Sequence, residues 1–199
     1  MQSDVFAITP SSYDNFYFSS ATATGTISLL KSTPSRNGAG YKVSVQNSAG
    51  DDSSTNYNIS GFVVGDLGGN TVTETLAGGE SAVTVFTTNY FAEVTNFAVA
   101  AGTSVGTIQV GFGGDSTIAL PRTRIKAFNY AAPTASGSIT VTRNDDSTLP
   151  ILEITSPEGI VQSSHLTIPE NGVLTTGSNT NNFAIVTLSN ITSLTLYCG

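Results

Sequence analysis

One fourteen-residue phrase occurs three times in the chain: "FYFSSATATGTISL" from Phe16, "FAVAAGTSVGTIQV" from Phe97 and "FNYAAPTASGSITV" from Phe128. The shared pattern, F-x-[FVY]-[SA]-[SA]-x-T-x-x-G-[ST]-I-x-[LV], sets apolar side chains at alternate positions on either side of a small-residue break. A strand turns successive side chains to opposite faces, so Phe16 and Phe18, Phe97 and Val99, and Phe128 and Tyr130 share a face. Ile27 and Leu29, Ile108 and Val110, and Ile139 and Val141 share the face of the returning limb. Each copy reads as a β-hairpin with one apolar face, turned at Gly25, Gly106 or Gly137, where glycine supplies backbone freedom. The unequal intervals between the copies exclude a solenoid or propeller of constant period.

The rest of the chain agrees with a β reading. Only 11% of its 199 residues are Asp, Glu, Lys or Arg, against roughly 25% in an ordinary globular protein. Exposed helices lean on those residues, whereas a Thr- and Val-rich chain favours strands joined by tight turns. The formal net charge of −7 and only seven Lys and Arg residues argue against a nucleic-acid partner, which needs clustered cations. The sequence opens without a basic segment followed by an apolar one, and no apolar run is long enough to span a bilayer; we expect cytoplasmic synthesis without export and no membrane partner. Cys198 has no second cysteine to pair with, so a buried terminal thiol is expected, with an intermolecular disulfide as the alternative. The sequons at Asn58 and Asn190 carry little weight without a secretory route.

Further alternating runs start at Tyr41, Asn56, Asn70 and Ser81, separated by the turn-rich "AGDDSS", "GDLGGN" and "AGGE". After "GFGGDS" a second series follows, from "TRIKAFNYA" to "SLTLYCG". The expected fold is all-β: two antiparallel β-sandwich or barrel domains, Ig-like or jelly-roll-like, over 34–115 and 116–199, preceded by an N-terminal β-hairpin arm over 1–33.

Chemistry is sparse. The one histidine, His165, stands beside Ser163 and Ser164, but neighbours on a strand face opposite ways and make no nucleophile–base pair. One histidine and one cysteine fall short of the usual transition-metal ligand set. Asp51 with Asp52 and Asp145 with Asp146 read as solvated turn acids, with a weak cation site as the alternative. Glu74, Glu80, Glu93, Glu153, Glu158 and Glu170 show no spacing that favours a glycosidase pair. Glu74 in "TET" reads as a solvent-facing charge on a strand edge. "GFGGD" lacks the lysine and the helix of a phosphate loop. No catalytic residue, cofactor or metal is therefore expected. Arg122, Arg124 and Lys126 in "PRTRIK" form the one basic cluster; on a strand they share a face and could meet an acidic partner surface. The aromatic pair Phe16 and Phe18 is the other candidate partner contact.

The stretch from "YKVSVQNSAGDDSS" through "NYNISGFVV", "NTVTETLAGG" and "GTIQVG" resembles a β-domain of small structural proteins of tailed bacteriophages. The second half, with "PRTRIKAFNY", "PILEITSPEG" and "LTIPENGVLTT", looks like a domain of marine and cyanobacterial podophage virion proteins. The resemblance covers about residues 40 to 199. It implies a non-enzymatic virion protein assembled in the host cytoplasm, first of all a capsid decoration (cement) protein. Its partners would be the major capsid protein, neighbouring virion subunits and further copies of itself in a homo-oligomer. A neck or tail accessory protein, or a glycan- or receptor-binding module using loops such as Asn179–Asn182, are the alternatives; the absence of tryptophan weighs against the last.

Overall fold

The computed structural model describes residues 4–8, 13–22, 24–33, 38–48, 50–65, 69–101, 104, 106–112, 116–121, 123–132, 135–144, 146–157, 160–168, 173–174 and 183–198. Among them the chain forms strands and no helix. In order these are β1 (Asp4–Ile8), β2 (Tyr13–Ala21), β3 (Thr26–Ile27), β4 (Val43–Asn47), β5 (Asn56–Val63), β6 (Val72–Ala77), β7 (Thr84–Phe86), β8 (Phe91–Ala101) and β9 (Ile108–Phe112). They continue as β10 (Thr117–Leu120), β11 (Arg124–Ala132), β12 (Gly137–Arg143), β13 (Asp146–Ser156), β14 (Ile160–Thr167), β15 (Val173–Leu174), β16 (Ala184–Ser189) and β17 (Ser193–Cys198). Alternation drives them: along β5, Tyr57 and Ile59 are buried while Asn56, Asn58 and Ser60 are half-buried, and β17 buries Leu194, Leu196 and Cys198 in the same way.

The chain divides into two compact units, one of residues 1–11, 37–39 and 116–199, the other of residues 12–36 and 40–115. The second unit thus interrupts the first in sequence, between β1 and β10. With the short β15 set aside, each unit pairs its eight strands by one rule, first with eighth, second with seventh, third with sixth and fourth with fifth. In the inserted unit these pairs are β2·β9, β3·β8, β4·β7 and β5·β6. In the other they are β1·β17, β10·β16, β11·β14 and β12·β13.

That is a long antiparallel ribbon folded back at the hairpin between its fourth and fifth strands. Rolling the ribbon adds the pairs β4·β9 and β5·β8 in one unit and β11·β17 and β12·β16 in the other. Each unit is then a sandwich of two sheets, ordered β2-β9-β4-β7 and β3-β8-β5-β6, or β1-β17-β11-β14 and β10-β16-β12-β13. This is the eight-stranded jelly roll. The short β15 lies off that path and pairs with β11.

Two expectations are corrected. Residues 1–33 do not form a separate hairpin arm, because β1 joins β17 in one unit while β2 and β3 join β9 and β8 in the other. Nor is the repeated phrase a hairpin: in all three copies its limbs, β2 and β3, β8 and β9, β11 and β12, lie in different sheets. Four residues separate β2 from β3 and β11 from β12. At about 3.3 Å per residue they span about 13 Å, enough to cross the roughly 10 Å between packed sheets. Each copy is an arch that carries the chain from one sheet of a sandwich to the other.

The expected core anchors also separate. Phe97 and Phe128 are fully buried, but Phe16 is half-buried and its neighbour Tyr17 is wholly buried in its place. The cause is the irregular β2·β9 ladder, whose register shifts between Tyr13 and Phe18 and again before Ala21; a one-residue slip exchanges the two faces of a strand. On the returning limbs Ile27, Ile108, Val110, Ile139 and Val141 are buried.

The glycines serve the arches for different reasons. Gly25 has φ +64°, with nothing within 4 Å of where a Cβ would stand. Gly137 lacks the positive φ, and a Cβ there would come within 2.8 Å of the Ser189 carbonyl oxygen and Ile191 Cδ1.

Candidate functional site

Arg124 and Lys126 of the basic cluster sit on β11, an interior strand of its sheet. Arg124 is exposed, Lys126 is half-buried, and Ile125 between them points into the core with no exposure. A register shift between Ile125 and Ala127 in the β11·β17 ladder falls at Lys126. Arg122 lies outside the described residues. Further along the outer face, Asn129 Nδ2 donates to the Tyr197 hydroxyl at 2.8 Å.

Phe16 and Phe18 belong to the inserted unit, on β2, an edge strand. Both are half-buried. The Phe16 ring meets Tyr17 and Phe112 edge-on at centroid distances of 5.0 and 4.9 Å, and the Lys31 ammonium lies 5.2 Å from its centroid. Phe16 is thereby engaged within its own unit. Tyr41 closes the cluster at 4.7 Å from Phe112.

In the first acid pair Asp51 is a solvated turn acid, as expected, and Asp52 is not. Asp51 is exposed and accepts the Ser53 N–H at 2.8 Å, and its hydrogen bonds from Ser53 hold it below the usual carboxylate range. Asp52 is 1% exposed and accepts the Tyr57 hydroxyl. Its backbone ties the turn, donating to Gly79 O at 2.9 Å and accepting from Thr55 N at 2.8 Å. Burial first, then the bond and charge of Asp52, push the Tyr57 phenol far above its ordinary value. Asp52 is thus a structural acid: an unpartnered carboxylate at that depth would be costly, and the phenol supplies its partner. Asp145 and the side chain of Asp146 lie outside the described residues.

Glu74 is not a solvent-facing edge charge. Its Oε1 accepts Thr88 N at 2.6 Å, and its Oε2 accepts Asn89 N at 3.0 Å and Asn89 Nδ2 at 2.8 Å. One carboxylate on β6 fastens the connection between β7 and β8. The alternation of "TVTETLA" placed Glu74 and Thr73 on opposite faces; which face met the loop depended on residues far along the chain.

His165 faces Asn129 in the β11·β14 register, while its side chain and those of Ser163 and Ser164 lie outside the described residues. Among the described residues no group of three or more His, Cys, Asp and Glu side chains is placed to hold a metal ion. Cys198 is buried and, among the described residues, forms no disulfide.

A feature that sequence reasoning missed is the outer face of the β3-β8-β5-β6 sheet. Thr75 Oγ1 donates to Asn58 Oδ1 at 2.8 Å, Ser60 Oγ and Thr73 Oγ1 lie 2.7 Å apart, and Thr95 Oγ1 donates to Ser60 O at 3.2 Å. Such cross-strand hydroxyl and amide pairs tie strands from the solvent side. Their signal was present in "NYNIS" and "TVTET", whose first, third and fifth residues are all small and polar.

Comparison of the chain with protein-family models, with curated proteins and with solved structures returned no match. The molecule is therefore defined by its own architecture, two jelly rolls of one strand order, one inserted in the other.

Proposed function

We propose that the protein is a non-enzymatic structural component of a bacteriophage virion, a capsid decoration protein that binds the assembled major capsid protein and stabilises its lattice. The observation that carries this reading is the pair of jelly rolls, an architecture used in viral capsid domains, built with side chains such as Asp52, Tyr57 and Glu74 that serve the fold. The sequence resemblance to tailed-phage virion proteins points the same way. Modest contacts repeated over a lattice act together, so a small β-unit can cement capsomers without a tight individual site.

Addition of the purified protein to expanded capsids that lack it tests the reading. Saturable binding at hundreds of copies per particle, with a rise in capsid melting temperature, is the expected result. About a dozen copies at one vertex would move the protein to the neck or tail, and no binding would sink the virion-surface role. Jelly rolls also serve as lectin domains, which makes a glycan-binding module of the virion the second reading; retention on a glycan array without capsid binding would favour it.

A further inference from the structure

We infer that the outer face of the β1-β17-β11-β14 sheet, around Arg124 and Lys126, docks an extended acidic segment of a partner protein, with carboxylates at alternate positions meeting the two cations. The inference rests on the unit of residues 1–11, 37–39 and 116–199 alone. It stands whether or not the protein belongs to a virion.

Alternation and one bulge put the cations on that face. Ile125 and Phe128 are wholly buried, and Arg124, just before Ile125, is exposed. Strict alternation from Ile125 would turn Phe128 outward. The register shift between Ile125 and Ala127 against β17 supplies the extra residue that returns Phe128 to the core, opposite Leu196. Lys126, half-buried beside a wholly buried Ile125, therefore faces out together with Arg124, Ala127 and Asn129. Ala127 stands between Tyr197 on one side and Thr167 on the other, and the Asn129 amide donates to the Tyr197 hydroxyl at 2.8 Å. The small alanine is a low floor between larger neighbours, with the cations at one end of it.

Charge and spacing select the occupant. The chain holds 14 Asp and Glu against 7 Lys and Arg, yet the side chains described on this face include two cations and no carboxylate. Residues two apart on a strand lie about 7 Å apart, so Arg124 and Lys126 are two like charges at that interval. An extended peptide repeats its own side chains at the same interval, so one with acids at alternate positions sets a carboxylate on each cation. The arginine takes it through two parallel N–H bonds and the lysine as a point charge. A single small anion spans only one of the two. A nucleic acid would meet the repulsion of a chain with net charge −7 along the rest of its length. Tyr197 and Thr167 flank the path and add apolar and hydrogen-bonding contact, tyrosine and arginine being residues that interfaces favour. Exposed ion pairs contribute little each, so the single contact is weak and sensitive to salt.

Fluorescence anisotropy of a labelled peptide of alternating Glu and Thr, titrated with the full chain at low salt, measures the contact. The wild type is expected to bind saturably, with affinity falling as salt rises. Arg124→Glu and Lys126→Glu should each weaken binding about tenfold or more, since each sets a like charge against the peptide. Lys31→Glu makes the same change of net charge on an exposed residue of the inserted unit and should leave binding within about twofold. Unchanged melting temperatures would show that the variants fold; where Lys126→Glu lowers its own, Lys126→Gln takes its place and should still cost about threefold or more. No saturable binding by the wild type overturns the inference, as does an equal loss in Lys31→Glu. Tighter binding of heparin than of the peptide would overturn it too, and would reassign the face to a sulfated glycan.

Discussion

Phe97 stands opposite Ile27 in the β3·β8 ladder, so the first limb of one copy of the repeated phrase is hydrogen-bonded to the second limb of another. The reciprocal pair, β2 with β9, lies in the other sheet of the same unit. Two arches thus clasp each other across one sandwich. In the other unit the third copy does the same with a partner of different sequence: β11 pairs β17 and β12 pairs β16.

The clasp makes Phe97 a keystone of its unit. Phe97→Ala should cost about 3–5 kcal/mol, the range for emptying a buried aromatic site. Phe16→Ala, from the same position of the phrase but half-buried, should cost about 1–2 kcal/mol on lost apolar burial. Urea unfolding of the two variants measures the difference; equal losses would contradict the register shift in β2.

The arch glycines should respond oppositely to asparagine, which tolerates the left-handed region. Gly25→Ala is expected to cost about 1–2 kcal/mol and Gly25→Asn distinctly less, since only φ constrains that site. At Gly137 both replacements meet the Ser189 carbonyl and should cost about 1–3 kcal/mol or more. Thermal melts of the four variants decide it, and rescue by asparagine at 137 would refute the packing argument.

The buried phenols should make the protein alkali-sensitive. Burial raises Tyr17, with Tyr41 adding to the effect, and burial with Asp52 raises Tyr57. Both keep their protons longer folded than unfolded. Their contribution is full below the ordinary tyrosine value near 10 and falls as pH rises beyond it, by up to about 1.4 kcal/mol per pH unit for each phenol. Denaturant midpoints between pH 8 and 11.5 should decline above 10, and Tyr57→Phe should flatten the decline. The same variant at pH 7 should lose about 1–3 kcal/mol, because the buried Asp52 carboxyl loses the hydrogen bond from the Tyr57 hydroxyl.

Removal of the Glu74 clamp should loosen one connection while leaving the fold intact. In Glu74→Ala the Thr88 and Asn89 amides lose their acceptor, and hydrogen exchange at these two positions should accelerate at least tenfold, with a stability loss of about 1–3 kcal/mol. Unchanged exchange there would show that the clamp is dispensable.

Local pattern alone determined that this chain is all-β, that Phe97, Phe128, Ile108, Ile139 and their alternates face inward, and that small residues with glycine break each phrase. Side-chain alternation and turn chemistry are properties of a few neighbouring residues, and they are legible without a partner. Whether a limb returns beside its predecessor or crosses to the opposite sheet was not legible, because both arrangements bury the same alternate residues and four residues reach either place. That choice belonged to partners far away in sequence, as when Phe97 found Ile27 or Tyr130 found Leu194. The same holds for the site residues. The acid pair at 51 and 52 and the "TET" strand were visible as letters, but only the folded ribbon brought Thr88 to Glu74, and Thr75, Asn58, Ala98 and Thr26 into one uncharged row.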